Sequence, residues 1–153
     1  MKTSWTEADF ESLSWHDNHV HGLQIEVANP DHGTGHLILD LDHILEWLAP
    51  IEGRYRFRVA PATLTFLDVF GLRIDLDWAA VTAGMIPFSI GQIRREKAEY
   101  PGGFTWNWMI VVNWPKGAIT FSGTKFTQVL RGEPIITMEP CLSIQERARI
   151  SAV

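Results

Sequence analysis

Apolar and polar residues alternate with a period of two over long stretches of this chain, and this pattern favours strands over helices. The clearest stretches are residues 19–27 and 37–47, and the segment between them, NPDHGTG, is rich in turn formers. Successive side chains of a strand point to opposite faces of a sheet, so the two stretches predict a β-hairpin. A helix over residues 43–48, with Asp42 as its N-cap, is the alternative for the second half.

Further strand-like stretches follow without crossover helices between them, which indicates antiparallel pairing. They cover residues 54–59, 63–69, 72–78, 86–95, 104–114 and 118–129. Capping-box spacing predicts one short helix at Ser4–Leu13 and another at Ser143–Ile150. The sequence therefore predicts a mainly β protein. We expect a single β domain over residues 1–153, either an antiparallel β-sandwich or a partly open barrel, with short N- and C-terminal helices.

Composition narrows the classes of function. Hydrophobic residues make up 46% of the 153 residues, charged residues make up 20%, and the net charge is −5. No basic cluster is present to neutralise phosphates, so we expect no nucleic-acid partner. No apolar run approaches the length of a membrane span, so we expect no membrane anchor. Cys141 is the single cysteine, which excludes an intrachain disulfide and predicts a reducing, cytoplasmic location.

Three histidines form the sharpest candidate site in the sequence. If the hairpin is symmetric about His32, His21 faces His43, and His19 lies on the same face. Three imidazoles on neighbouring strands could bind zinc and leave a fourth position open for water, as in a metal-dependent hydrolase. The alternative is that these histidines pack half-buried and hydrogen-bond to carbonyl groups. The opposite face of the hairpin carries Gln24, Glu26, Asp40, Asp42 and Glu46. These residues predict a solvated strand face or a site for a cation or basic partner.

Seven tryptophans suggest two further interpretations. Trp106, Trp108 and Trp114 fall on one face of a predicted strand, and such spacing favours an inward core face. A platform for sugar rings is the alternative, and it requires some of Trp47, Trp78, Trp106 or Trp108 to line a cleft. The sequence therefore keeps a small-ligand or sugar binder open as a function.

Short motifs in this chain resemble a group of uncharacterised small bacterial proteins. The motifs are Leu13-Ser-Trp-His-Asp-Asn, the segment from Leu39 to Trp47, and two later segments beginning at Trp114 and Gln128. The group carries an N-terminal W-H-D element before a β meander, and some members are grouped with immunity proteins of bacterial toxin systems. The resemblance implies a binding role for Trp15, His16 and Asp17. Alternatively, Asp17 caps a turn above a packed Trp15.

Motifs for several common enzyme classes are missing from the sequence. It contains no P-loop, no G-x-G-x-x-G, no paired C-x-x-C and no G-x-S-x-G. We therefore predict no catalytic residues and no cofactor, with zinc at the three histidines as the alternative. The leading hypothesis is a non-enzymatic protein that binds another protein or itself, with a homodimer as one form. This hypothesis predicts an exposed aromatic patch with an acidic rim.

Overall fold

Nine strands, one 3₁₀ helix and one α-helix make up the computed structural model, which describes residues 1–80 and 84–151. In chain order these are β1 (Ser4–Thr6), the 3₁₀ helix (Glu7–Ser12), β2 (His19–Asn29), β3 (Thr34–Ile51), β4 (Arg54–Leu76), β5 (Phe88–Tyr100), β6 (Gly103–Trp114), β7 (Gly117–Gly123), β8 (Lys125–Leu130), β9 (Ile135–Thr137) and α1 (Ile144–Ser151). All strand pairings are antiparallel, so the prediction of a mainly β, antiparallel protein is confirmed.

The strand pairings close into a ring. Its path runs β4, β3, β2, β5, β6 and β7, and β7 pairs back onto β4. The contact between β2 and β5 is short, with only two residue pairs, and the other contacts in the ring are longer. Strand β8 pairs with β4 and carries β1 on its other edge, and β9 pairs with β4 alone. The strands therefore belong to one continuous sheet.

Strand β4 joins three of the predicted strands into one strand of 23 residues. One of its edges pairs with β3, and the other meets β9, β8 and β7 in succession. The backbone bends between the β8 and β7 contacts, where Asp68 and Gly71 adopt φ values of 54° and 63°. Glycine adopts positive φ without a Cβ clash, so Gly71 turns the strand without ending it.

The β2–β3 hairpin forms as predicted but in a different register. Residues 43–48 continue β3, so the helical alternative is wrong. Leu23 pairs with Leu39, two residues away from the expected Leu41. A β-bulge then lies between Val20 and Gly22. Such a bulge adds one residue to one strand and moves the following side chains to the opposite face.

Two clusters of apolar side chains hold the sheet together. The larger lies inside the ring and includes Leu39, Phe66 and Trp108, so the prediction that the tryptophan stripe faces the core is confirmed for Trp108. Trp114 is an exception, because it is 40% exposed at the end of β6. The smaller cluster lies elsewhere on β3 and β4 and consists of Ile44, Phe57, Val59 and Leu142. Since Leu142 lies just before α1, the C-terminal segment covers this part of the sheet.

The two ends of the chain fold differently from each other. Ser4 begins a short strand instead of a helix, and Asp9 accepts a hydrogen bond from the Thr6 backbone N–H (2.9 Å) at the start of the 3₁₀ helix. At the C-terminus the predicted capping box is confirmed, because Ser143 and Glu146 bond to each other's backbone N–H groups. These helices have six and eight residues, and no helix in the described part of the chain is long and apolar enough to cross a bilayer.

Candidate functional site

The W-H-D element forms a corner that is held from both sides. Trp15 is 4% exposed, and its Nε1–H donates to Oε1 of the buried Gln128 (2.8 Å). Asp17 has a φ of 62°, and its backbone N–H donates to the Ile90 carbonyl (2.9 Å). Trp15 and Asp17 therefore occupy structural positions. His16 differs, because its side chain is 60% exposed.

A cleft of about 400 Å³ lies next to His16. The His16 ring stacks on Trp47 at an interplanar angle of 18° and a centroid distance of 6.3 Å. Trp5, His43 and Lys2 line other parts of the cleft. Ser12, Ser14 and Glu46 also line it, so the cleft combines aromatic walls with several polar groups. Its volume is within the usual range for ligand or side-chain binding. The cleft therefore places His16, a predicted binding residue, next to Trp47, a tryptophan predicted to line a cleft.

His43 lies at the buried side of this cleft and contacts Trp5 edge-to-face. Its side chain is buried, and burial lowers its pKa from 6.5 to about 4, so the ring is neutral near pH 7. Asn18 Nδ2 donates to His43 Nδ1 (2.9 Å), while Asn18 Oδ1 accepts from the Ile44 N–H (3.2 Å). The neutral ring therefore carries its proton on Nε2 and can act as a hydrogen-bond donor.

Beyond the cleft, the β3–β4 hairpin extends as a two-stranded tip. Pairing of β3 with β2 ends at Asp42 and pairing of β4 with β9 ends at Phe57, so within the described part of the chain residues 48–56 pair only with each other. Trp47 and Tyr55 are 48% and 55% exposed, and Trp47 packs edge-to-face on both Tyr55 (6.1 Å) and Phe57 (4.9 Å). The tip is thus an exposed aromatic surface on an ordered hairpin.

The other predicted tryptophans do not form an open sugar platform. Trp108 is buried in the core, and Trp106 lies under the Arg95 guanidinium, whose central carbon is 4.0 Å from the ring centroid. Trp78 is half-buried and donates its Nε1–H to the Ile86 carbonyl (3.0 Å). Among the cleft candidates, Trp47 is therefore the tryptophan with an open face.

Among the described residues, the ring nitrogens of His19, His21 and His43 do not converge on one point as a group of potential metal ligands. The bulge after Val20 places Val20 in the core and turns His21 toward Asp42. His43 lies with the core residues, next to Trp5. His19 is half-buried, and burial lowers its pKa. A valine in the apolar core costs less than a histidine there, which gives a physical reason for the shift.

A different set of side chains meets at this point. His21 Nε2 donates to Asp42 Oδ2 (2.7 Å), and Cys141 Sγ lies 3.8 Å from the same nitrogen. Asp42 is fully buried, and it also accepts hydrogen bonds from the Leu142 backbone N–H (2.8 Å) and from Arg147. Through these bonds a buried carboxylate anchors the C-terminal segment to β3.

Sequence reasoning missed this cluster for two reasons. Alternation placed Asp42 on a solvated face, but the C-terminal segment covers that face. Cys141 is 120 residues from His21, and no local pattern connects the two. The acidic residues Asp40 and Asp42 were noted, yet their partners Arg131 and Arg147 come from the end of the chain. Only the long-range pairing of β4 with the C-terminal strands brings these groups together.

Cys141 is not arranged as a catalytic nucleophile. A base that activates a thiol bonds to it through one ring nitrogen and to an orienting carboxylate through the other. Here the same nitrogen of His21 faces both Asp42 and Cys141. Burial, together with the nearby Asp42 charge, raises the pKa of the Cys141 thiol to about 11. The thiol is therefore protonated and weakly nucleophilic near pH 7.

Comparison with protein-family models gives no match to this chain, and comparison with curated proteins gives no significant match either. The resemblance through Trp15, His16 and Asp17 to proteins grouped with toxin-immunity proteins therefore stays a prediction. The geometry of the cleft, the hairpin tip and the Cys141 cluster is the basis on which a function can be argued.

Proposed function

We propose that this protein acts without catalysis by binding another protein through the tip of the β3–β4 hairpin and the cleft beside it. The observation that carries the proposal is the exposed aromatic pair Trp47 and Tyr55 on an ordered two-stranded extension. Trp, Tyr and Arg are the residue types that contribute most to binding energy at protein interfaces. Arg54 and Arg56 flank Tyr55 along β4, and strand alternation places their side chains on the opposite face of the same exposed hairpin.

Charge at the tip favours an acidic partner. Residues 48–56 contain two arginines and one glutamate, so their net charge is +1 in a chain whose net charge is −5. Glu46 pairs with Arg58 (3.2 Å), which leaves the more exposed Arg54 closer to the end of the hairpin. The sequence suggested an acidic rim around an aromatic patch, and the charge at this surface has the opposite sign. Complementarity therefore favours a partner with carboxylates around an apolar side chain.

The cleft supports the same choice of partner. Its donors include the Nε2–H of the neutral His43 and the ammonium group of Lys2, which also pairs with Asp9. The carboxylate of Glu46 lines the cleft as well, and Arg58 pairs with it. A carboxylate or carbonyl group of the partner would accept from the two donors while an apolar side chain packs on Trp47. The tip is also held by its own aromatic contacts, so binding orders few side chains and the entropic cost is small.

Two narrower statements belong to the same proposal. An immunity-like role, in which the partner is a toxin that this chain blocks, follows from the W-H-D resemblance at Trp15, His16 and Asp17. A cytoplasmic location fits the unpaired Cys141, since free thiols persist in reducing compartments. The partner is then a bacterial protein that meets this chain inside the cell.

The test compares two hairpin tips of the same chain. Wild type, a Trp47→Ala/Tyr55→Ala variant and Tyr100→Ala serve as immobilised baits, because Tyr100 is an equally exposed tyrosine at another hairpin end. A protein retained by wild type and Tyr100→Ala but lost from the double variant is identified, purified and titrated calorimetrically. We expect the double variant to weaken its binding by about 100-fold or more, and binding to weaken with added salt.

Three outcomes would contradict the proposal. One is that no protein depends on Trp47 and Tyr55 for retention. Another is that the purified candidate binds wild type and the double variant equally. A third comes from sedimentation: if wild type is a dimer and the double variant a monomer, the occupant of this surface is a second copy of the chain and not an acidic partner.

A further inference from the structure

Three side chains of different chemistry direct potential metal ligands to one point beneath the C-terminal segment. These are Nε2 of His21, Oδ2 of Asp42 and Sγ of Cys141, and all three atoms lie within 4.8 Å of one another. They come from β2, from β3 and from the segment before α1. This cluster is separate from the hairpin tip, so it does not depend on the function proposed above.

The distances between these atoms are close to those around a tetrahedral zinc ion. Zinc bonds of about 2.1 Å to nitrogen and oxygen and about 2.3 Å to sulfur place nitrogen and sulfur about 3.6 Å apart, and nitrogen and oxygen about 3.4 Å apart. The observed separations are 3.8 Å for His21 to Cys141 and 2.7 Å for His21 to Asp42. Loss of the hydrogen bond between His21 and Asp42 would let this pair open by the required 0.7 Å or so.

An arginine side chain bonds to one carboxylate oxygen of Asp42, so the other oxygen can bind a metal ion. Arg147 bonds to Oδ1 of Asp42 and also to Asp40, while Arg131 bonds to Asp40. Oδ2 of Asp42 instead faces His21 and the Leu142 N–H. The two aspartates and two arginines cancel in charge. A divalent ion that displaces the thiol proton therefore adds a single positive charge to the cluster.

We propose that His21, Asp42 and Cys141 bind a zinc-type divalent ion that fastens the C-terminal segment onto β2 and β3. The thiol of Cys141 gives up its proton as the sulfur–metal bond forms, and the proton passes to solvent. The His21 ring then carries its proton on Nδ1 and offers Nε2 to the metal. Thiolate and imidazole ligands select zinc or cobalt over magnesium and calcium. This assignment replaces the three-histidine site expected from the sequence.

The first test uses cobalt and zinc on protein purified with chelator and then freed of it. Cobalt should give an ultraviolet thiolate-to-cobalt absorption band at one ion per chain, because Cys141 is the single cysteine. Zinc should raise the melting temperature by about 5–10 °C when free zinc is about a hundred times its Kd. Binding should release about one proton from the thiol. Magnesium should give none of these effects.

Variants separate this cluster from other histidines. Cys141→Ser and His21→Ala should each lose the cobalt band and the zinc shift, whereas His32→Ala, at an exposed turn, should keep both. The hydrogen bonds of Cys141 Sγ within the described part of the chain are long (3.7 and 3.8 Å), so its serine variant should fold even if His21→Ala does not. A wild-type protein with no band and no shift would overturn the proposal. So would a zinc shift that Cys141→Ser retains in full.

Discussion

Replacing Trp15 by phenylalanine tests whether the W-H-D element is a structural corner. The change keeps an aromatic ring against Phe10 and Phe126 but removes the indole N–H that bonds to Gln128. Gln128 is fully buried, and its Nε2 is already without a partner among the described residues. In the variant, neither the Oε1 nor the Nε2 atom of the buried Gln128 amide would therefore have a hydrogen-bond partner among the described residues.

The size of the effect follows from these contacts. An orphaned buried acceptor costs about 1–3 kcal/mol, and the smaller ring adds a cavity cost of about 1 kcal/mol. We expect Trp15→Phe to lower the free energy of unfolding by about 2–4 kcal/mol. Adding Gln128→Leu removes the stranded amide, so the double variant should recover at least about 1 kcal/mol of that loss. Replacing both partners by apolar groups of similar shape is far less costly than removing one.

Urea unfolding followed by far-ultraviolet circular dichroism measures these differences without relying on tryptophan emission. Trp47→Phe is the matched control, because Trp47 is half exposed and has no comparable buried hydrogen bond in the described structure; it should stay within about 0.5 kcal/mol of wild type. Equal stabilities for Trp15→Phe and Trp15→Phe/Gln128→Leu would refute the reasoning. A Trp15→Phe loss below about 0.5 kcal/mol would refute it as well.

Three further predictions concern other parts of the fold. The pKa of His43 is about 4 in the folded state against 6.5 unfolded, so the unfolded chain binds more protons between these values. Stability should fall by up to about 3 kcal/mol as pH drops from 6.5 to 4, and urea midpoints of His43→Gln should show a flatter profile. Glu52 and Gly53 both have positive φ in the β3–β4 turn (52° and 76°). Because asparagine tolerates positive φ better than glutamate, Glu52→Asn should raise the free energy of unfolding by about 0.5–1 kcal/mol, seen as a higher melting temperature. Arg95→Lys keeps the ion pair with Glu7 but loses planar stacking on two aromatic rings, and calorimetry should show a loss of about 1–2 kcal/mol; no loss would exclude the stacking contribution.

Alternation along the chain predicted the long strands, but it missed the short strands β1 and β9 and could not fix the register. It also predicted one strand over 118–129, where the structure has two, β7 and β8, with partly different partners. The β2–β3 hairpin repeats apolar residues so evenly that a slip of two residues keeps every side chain on its predicted face. The observed pairing of Leu23 with Leu39 differs from the expected one by such a slip. The bulge after Val20 has no clear marker in the sequence, and it separated His21 from His43.

Long-range packing determined the rest of the candidate site. Asp42 carries the pattern of a solvated strand residue, yet the segment around Leu142 buries it. Burial of a carboxylate is stable here because Arg147 and two other donors satisfy it. Leu142 and Arg147 lie 100 and 105 residues from Asp42 in the sequence, and a single sequence contains no signal that links them. His16 and Trp47 were both noted as candidates, but only the structure places one ring on the other.

The length of β4 has a consequence for the order in which the chain can assemble during synthesis. Strand β9 pairs with β4 alone, and β8 and β7 each line part of the same edge. All three are synthesised after β4, and the partner on its other edge, β3, is synthesised before it. A growing chain can therefore complete the β2–β3–β4 meander first. The edge of β4 from Phe57 to Leu76 then stays open until residues 117–137, which form β7, β8 and β9, leave the ribosome. During that interval β4 is the surface most in need of protection from pairing with a neighbouring chain.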